Sequence, residues 1–316
     1  MHEIIFTIFL IYVIMNFIPI LRLILEGDIV ISLKNGDGIQ WPEGKRIAVM
    51  LTFDFDAELL RQSVIGKKNI GFSDRSRGLY GPHEGLKRCL DMLQRQGLTT
   101  TFFIPGRIIE EYPASVKAIA AAGHEIAYHG YDHDAAVGLA REQEEANMEK
   151  SEALIEKLCG QKPVGYRGPL DVLQEYSLDL MQQRGYLYDS TLKDCDWAYV
   201  PESCAKETPV VVLPTEPGVD DFSFYYFSYA DEATITCSYP NDYVYGMWKD
   251  YFDELAGEGD KVLVFKLHPQ LIGRTGRIRM LKRLVLYMEQ NGAWLAPCRD
   301  VARYVLGWNG KKGGEA

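Results

Sequence analysis

From Arg46 onward, short apolar runs rich in β-formers alternate with segments of helical period. This alternation is the signature of repeated β-α units around a mainly parallel sheet. The first run, RIAVMLTF, is apolar at Ile47, Val49, Leu51 and Phe53 and ends at Asp54. GPHEGLKRCLDMLQRQG then places Leu86, Leu90 and Leu93 at helical intervals and stops at Gly97. TTTFFIPG reads as the second strand, 109–122 as a helix ended by Gly123, and HEIAYH as the third strand. In REQEEANMEKSEALIEKLCG, apolar Ala146, Ala153, Leu154 and Leu158 oppose a charged, solvated face. Shorter strands are predicted at PVGYRG, GYLYDS and PVVVLP, and the pattern closes with strand KVLVFKLH, helix RIRMLKRLVLYMEQNG and a strand near AWLAP. Seven or eight strands result, which suits either a barrel or an open doubly wound sheet. A Tyr- and Phe-rich stretch at about 215–245 fits no β-α unit and reads as an insertion forming a lid or an oligomer surface.

In either architecture, polar residues at strand carboxyl ends converge on one face. Those residues are Asp54, Asp56 and Glu58, then His129 and His133, Arg167, Asp189, and His268. Asp and Glu after strands are often turn residues, and a lone histidine is more often a core or surface residue than a ligand. That reading must be invoked separately for every one of these positions. Histidines at i and i+4 bring two ring nitrogens within reach of one ion at about 2.0 to 2.1 Å, and one carboxylate completes a facial set with open positions. Strand alternation puts Asp54 and Asp56 on one side, so one can hold metal while the other takes a proton from water. Arg167 can keep that base ionised through a bidentate pair, or be a surface turn residue. His268 can protonate a leaving amine, or cap the segment opened by Pro269.

A net charge of −10 and the lack of a Lys/Arg run argue against a nucleic-acid partner. The six cysteines, Cys89, Cys159, Cys195, Cys204, Cys237 and Cys298, contain no CxxC pair and read as mostly buried thiols, which leans towards a reducing compartment. Residues 1–40 form a hydrophobic segment and linker. Within them, 4–25 is long enough for a membrane helix, and Arg22 and Lys34 after it favour a cytoplasmic catalytic domain over 41–316, with export still open. The alternative is an upstream extension outside the working domain.

Together these motifs resemble the polysaccharide deacetylase family, also called the NodB-homology or carbohydrate esterase family 4 group. TFDFD resembles its first motif, HGYDH the second, RGP the third, YDSTL the fourth and KLHP the fifth, in the family's order across about 46–306. The resemblance implies Asp54 as base, Asp56, His129 and His133 as metal ligands, Arg167 as the partner of the base and His268 as general acid. It also implies a divalent metal, Zn2+ first with Co2+, Ni2+ or Mn2+ as alternatives. Two departures stand out: the aspartates of FDFDAE are separated rather than adjacent, and Gly130 replaces the usual Ser or Thr. The separated aspartates, with RGLYGPHEGLKRCLDML, TTFFIPG, AGHEIAYHGYDH and HPQLIGRTGR, look closer to the branch of the Helicobacter-type peptidoglycan deacetylase homologue and the PuuE-type allantoinases. That branch implies a distorted (β/α)7-8 barrel and a homo-oligomer, with a tetramer as one form.

The expected function is a metal-dependent hydrolase of C–N amide bonds that deacetylates N-acetylated sugars or a related small amide. An allantoinase-like or cyclic imide hydrolase and a catalytically silent, membrane-tethered family member are the alternatives. Glu58, Arg274, Arg277 and Tyr226 are the expected substrate contacts, either arginine being able to hold a carboxylate on a small substrate. An open groove lined by Tyr225, Tyr226 and Trp248 is the expectation for a glycan, and a closed pocket for a small molecule.

Overall fold

Every strand ladder among the described residues is parallel, as the alternation of β and helical segments requires. The computed structural model describes residues 38–42, 44–66, 70–134, 138–226 and 238–312. The segment expected to form an N-terminal hydrophobic helix, and 227–237 of the Tyr/Phe-rich insertion, lie outside them. Among the described residues no helix is long and apolar enough to cross a membrane.

Eight strands form one sheet: β1 (Ile47–Asp54), β2 (Thr101–Ile104), β3 (Glu125–Tyr128), β4 (Gly165–Tyr166), β5 (Tyr188–Asp189), β6 (Val211–Val212), β7 (Val262–Leu267) and β8 (Ala293–Leu295). Their order is β6-β5-β4-β3-β2-β1-β7, and β8 also pairs with β1. β7 runs beside β1 from Ala48 to Phe53, which leaves β8 at Ile47–Val49 and β2 at Thr52–Asp54 to share the other edge of β1. All eight residues of β1 are buried, as expected of a strand covered on both faces. Between the outer strands β6 and β7 the described residues offer one bridge, Asp220 to Lys266, in place of a ladder. The result is a curled, half-barrel sheet with helices packed outside it.

Helices and sheet meet over Phe53, Phe102, Leu93, Ile119, Leu281 and Leu284, with the Phe53 and Phe102 rings stacked at 4.9 Å. Trp248, on the helix Asn241–Glu258, belongs to this core: it is fully buried, and its indole N–H donates to the Gly218 carbonyl at 3.0 Å. It therefore does not line a substrate groove, because helical spacing turns it inward with Val244 and Phe252. The single helix expected over 109–122 is two, Gly106–Glu111 and Pro113–Ala121. Pro113 lacks an N–H and restricts the residue before it, so Tyr112 leaves the helical region at φ −124° and ψ 50°. Of the five described cysteines none is in a disulfide; Cys89 and Cys298 are buried, the other three half-buried.

Candidate metal centre and active site

Because the strands are parallel, their carboxyl ends gather Asp54, His129, Arg167, Asp189 and His268 on one rim. Local backbone strain marks the same place. Of the five described non-glycine residues with positive φ, four lie here: Ala57, His133, Leu170 and Asp171. Such conformations cost free energy and cluster at functional sites. Ala57, at φ +48°, lies in the turn that follows β1, where the Asp56 carbonyl accepts from Leu59 N–H at 2.9 Å.

The Asp56 carboxylate is fully buried, and among the described residues neither oxygen has a hydrogen-bond donor. Around it stand His129 Nε2 at 3.6 Å, His133 Nε2 at 3.7 Å and His268 Nε2 at 3.7 Å. Asp56, His129 and His133 each offer a ligand atom within 4.8 Å of the others. Both imidazoles are aimed from behind: His129 Nδ1 meets the Arg167 carbonyl at 2.7 Å, and His133 Nδ1 meets Ser63 Oγ at 3.0 Å. Held this way, each ring presents Nε2 to the centre. Burial lowers His129 to about 4 and drives His133 well below its ordinary value, so at neutral pH both rings are uncharged, the form that binds a cation. Burial, reinforced by the charge of Asp54, pushes Asp56 up to about 8. A buried carboxylate without donors, facing two neutral imidazoles, is the donor set of a two-His, one-carboxylate divalent site. A second cluster, Asp220, Asp221 and His268, also meets the distance requirement. It is already satisfied, because His268 Nδ1 lies 2.6 Å from Asp221 Oδ1 and Lys266 lies 2.8 Å from Asp220.

Gly130 explains its own presence. Its φ is +70°, and a Cβ there would come within 2.7 Å of Pro169 Cγ, so a Ser or Thr on this backbone would collide with the RGP segment.

Arg167 is completely buried. Nη1 donates to Asp54 Oδ1 and to Thr52 Oγ1, each at 2.7 Å, while Nε and Nη2 donate to the Ser190 carbonyl and hydroxyl, each at 2.9 Å. The expected bidentate pair is thus a single contact, because Ser190 takes the other edge of the guanidinium. Burial alone would raise Asp54, but Arg167, His129 and His268 outweigh it and hold the carboxyl well below the usual carboxylate range. Asp189 does not enter the site. Its oxygens accept from Thr191 N–H, Thr191 Oγ1 and Leu192 N–H, and so fix the turn that carries Ser190.

His268 is held by both oxygens of Asp221, with Nδ1 at 2.6 Å from one and its backbone N–H donating to the other at 3.0 Å. Burial disfavours its imidazolium, but the charge and hydrogen bond of Asp221 prevail and raise it to about 10. Lys266, one strand period before His268, pairs with Asp171 at 2.7 Å and Asp220 at 2.8 Å. With Asp54, His129, His133, Leu170, Phe222 and His268, these three residues line a pocket of about 160 Å³. Lys266, Asp171, Asp220 and Asp221 were missed by sequence reasoning. Lys266 is the one with a local signal, since strand residues two apart share a face.

Glu58, expected as a substrate contact, lines neither this pocket nor the larger cavity beside it. It is buried, and its oxygens accept from Tyr112 OH at 2.8 Å and Arg75 at 3.4 Å. Tyr226, Arg274 and Arg277 line that larger cavity, and Tyr226 OH accepts from Arg61 at 2.7 Å.

Comparison with known proteins bears on the family and the fold. The family model for polysaccharide deacetylase matches residues 79–188. A peptidoglycan deacetylase-like protein of Gibberella zeae is 29% identical over 79% of this chain and 83% of its own. The peptidoglycan deacetylase of Helicobacter pylori is 28% identical over 69% of this chain and 82% of its own. A crystal structure from Mycobacterium smegmatis assigned to the polysaccharide deacetylases superposes with a TM-score of 0.80 at 30% identity, over 88% of this chain and 96% of that one. The PuuE allantoinase, 24% identical with a TM-score of 0.75 over 86% of this chain and 95% of its own, shares the fold. This chain belongs to the polysaccharide deacetylase family and is, by that membership, a hydrolase of C–N amide bonds.

Proposed function

We propose that the protein is a divalent-metal-dependent deacetylase of N-acetylated sugars or a related small amide. The observation that carries this reading is the Asp56 carboxylate, buried without a donor between two neutral imidazoles and flanked by an ionised acid and a protonated histidine. Asp56, His129 and His133 are the residues that would hold the ion. Zn2+ is the first expectation and Co2+, Ni2+ or Mn2+ suit the same donors. When bound, the ion supplies Lewis-acid activation of water and of the amide carbonyl.

The remaining chemistry belongs to the chain. Asp54, kept anionic by Arg167, is the base that takes a proton from the attacking water. His268, with Nδ1 tied to Asp221, keeps Nε2–H directed at the centre and returns a proton to the departing nitrogen. One acid and one base with pKa values driven apart is the arrangement that lets both steps run near neutral pH. Thr52 and Ser190 hold Arg167, and Leu170 and Phe222 provide apolar walls that restrict water. In fold terms the reading is a distorted (β/α)7-8 barrel whose seam lies between β6 and β7.

The test is metal analysis of the 41–316 fragment, followed by acetate release from N-acetyl-oligosaccharides and ring opening of allantoin and succinimide. Acetate release supports the deacetylase; ring opening without it favours the cyclic imide alternative. Stoichiometric metal with no turnover of any of these substrates would sink both.

A further inference from the structure

A second cavity, of about 630 Å³, opens beside the metal pocket, and Leu60 lines both. Its charge runs against that of the whole chain. The protein carries 44 acidic and 34 basic residues, yet among the described residues Arg61, Arg77, Arg274 and Arg277 line this cavity and no Asp or Glu does. Arg61 is matched to Asp74 at 3.1 Å. Arg274 and Arg277 are held differently. Their guanidinium carbons sit 3.6 Å from the Tyr80 ring centre and 4.1 Å from that of Tyr225, and Arg277 Nη1 donates to the Leu271 carbonyl at 3.1 Å. Among the described residues neither has a carboxylate within salt-bridge distance. Burial lowers the pKa of both; Asp221 and Tyr225 oppose this at Arg277 and Tyr80 at Arg274, while neighbouring guanidiniums add to it, and an anion between the two would relieve the burial penalty.

An independent observation comes from Gln270, which follows the segment His268–Pro269. Its side chain is 4% exposed, it lines the same cavity, and neither its amide nitrogen nor its amide oxygen has a partner among the described residues. A buried carboxamide with both atoms unmatched is costly unless a ligand or water completes it. Two ring-stacked guanidiniums and one amide donor form a set suited to an oxyanion.

We propose that this cavity is a subsite for an acidic group, a carboxylate or phosphate, carried by the substrate of the metal centre. Arg274 and Arg277 supply the charge and Gln270 a neutral hydrogen bond. The inference rests on the amide-hydrolase reading for the identity of the ligand as substrate, so its test is binding rather than turnover. Calorimetric titration of the full chain compares N-acetylglucosamine, N-acetylmuramic acid and N-acetylglucosamine 6-phosphate, which differ by a carboxylate or a phosphate. At least one acidic sugar is expected to bind about 10- to 100-fold more tightly than the neutral one, the range of a buried charge-assisted pair. The acid that does so identifies the group. In the Arg274→Gln, Arg277→Gln double variant that ratio should fall towards one. Arg277→Lys, which keeps charge but loses the planar fork, gives an intermediate ratio and stands in should the double variant fail to fold. If neither acidic sugar binds more tightly than the neutral one, or if the preference survives loss of the arginines, the proposal is overturned. Preferential binding without amide hydrolysis would overturn the hydrolase reading alone.

Discussion

Asp56 and Glu125 are both buried carboxylates on the same parallel sheet, one beyond the carboxyl end of β1 and the other at the amino end of β3. Burial raises the pKa of both. Their surroundings differ completely. Glu125 accepts from Thr101 Oγ1 at 2.6 Å, Tyr188 OH at 3.1 Å and Arg299 N–H at 3.1 Å, so every neighbour is a donor supplied by the fold. Asp56 accepts from none, and its neighbours are the Nε2 atoms of three histidines. A buried carboxylate with its donors built in closes a structure, whereas one left without them is waiting for a cation. The two ends of one sheet thus separate stability from function.

That contrast can be broken at either end. The largest effect is expected from Asp56→Asn, which should lower amide hydrolysis by at least about 10³-fold while leaving the metal-free protein about as stable as the parent, since no hydrogen bond to Asp56 is lost and the amide is isosteric with the neutral acid that burial favours there. Turnover measured beside thermal unfolding checks this, and a variant that unfolds early would mean that Asp56 has a structural partner. Glu125→Ala should do the reverse. It leaves Thr101, Tyr188 and Arg299 donors buried without an acceptor and is expected to cost about 3 kcal/mol by denaturant titration, with metal content unchanged.

Gly130→Ser sharpens the comparison at the loop between the two histidines. Strain at φ +70° and the contact with Pro169 should cost about 1 to 2 kcal/mol and weaken metal binding about tenfold, read from competition with a chelator. The smallest effect lies at the structural end. His124 Nδ1 accepts from Thr100 N–H at 3.2 Å, and burial lowers its pKa from 6.5 to about 4. Its folded value lies below its unfolded one, so stability is intact above about 6.5 and falls as pH drops towards 4. His124→Gln should flatten the acid limb of Tm against pH in that window. Parallel Tm curves for variant and parent would rule the histidine out as a source of that slope.

The strand-end residues were legible because a period-2 apolar run stops visibly at a polar residue, and because two histidines four apart need no tertiary knowledge. Partners separated by long stretches of chain were not. Asp221 reaches His268 across 47 residues and Asp171 reaches Lys266 across 95, and nothing local in DDFSF or GPLD announces either pairing. Glu58 misled because it shares a loop with the aspartates, whereas the left-handed turn at Ala57 directs it towards Tyr112 and Arg75. Pro113 did announce a helix break that an apolar count over 109–122 overrides. Gly130 was visible as a departure, but its reason, the distance to Pro169, exists only once β3 and β4 are side by side.

The most direct test of the account is metal stoichiometry in three proteins purified together: the parent, Asp56→Asn and Glu125→Gln. About one divalent ion per chain is expected in the parent and in Glu125→Gln, and none retained by Asp56→Asn. Metal held equally by Asp56→Asn, or absent from the parent after loading with Zn2+, would contradict it.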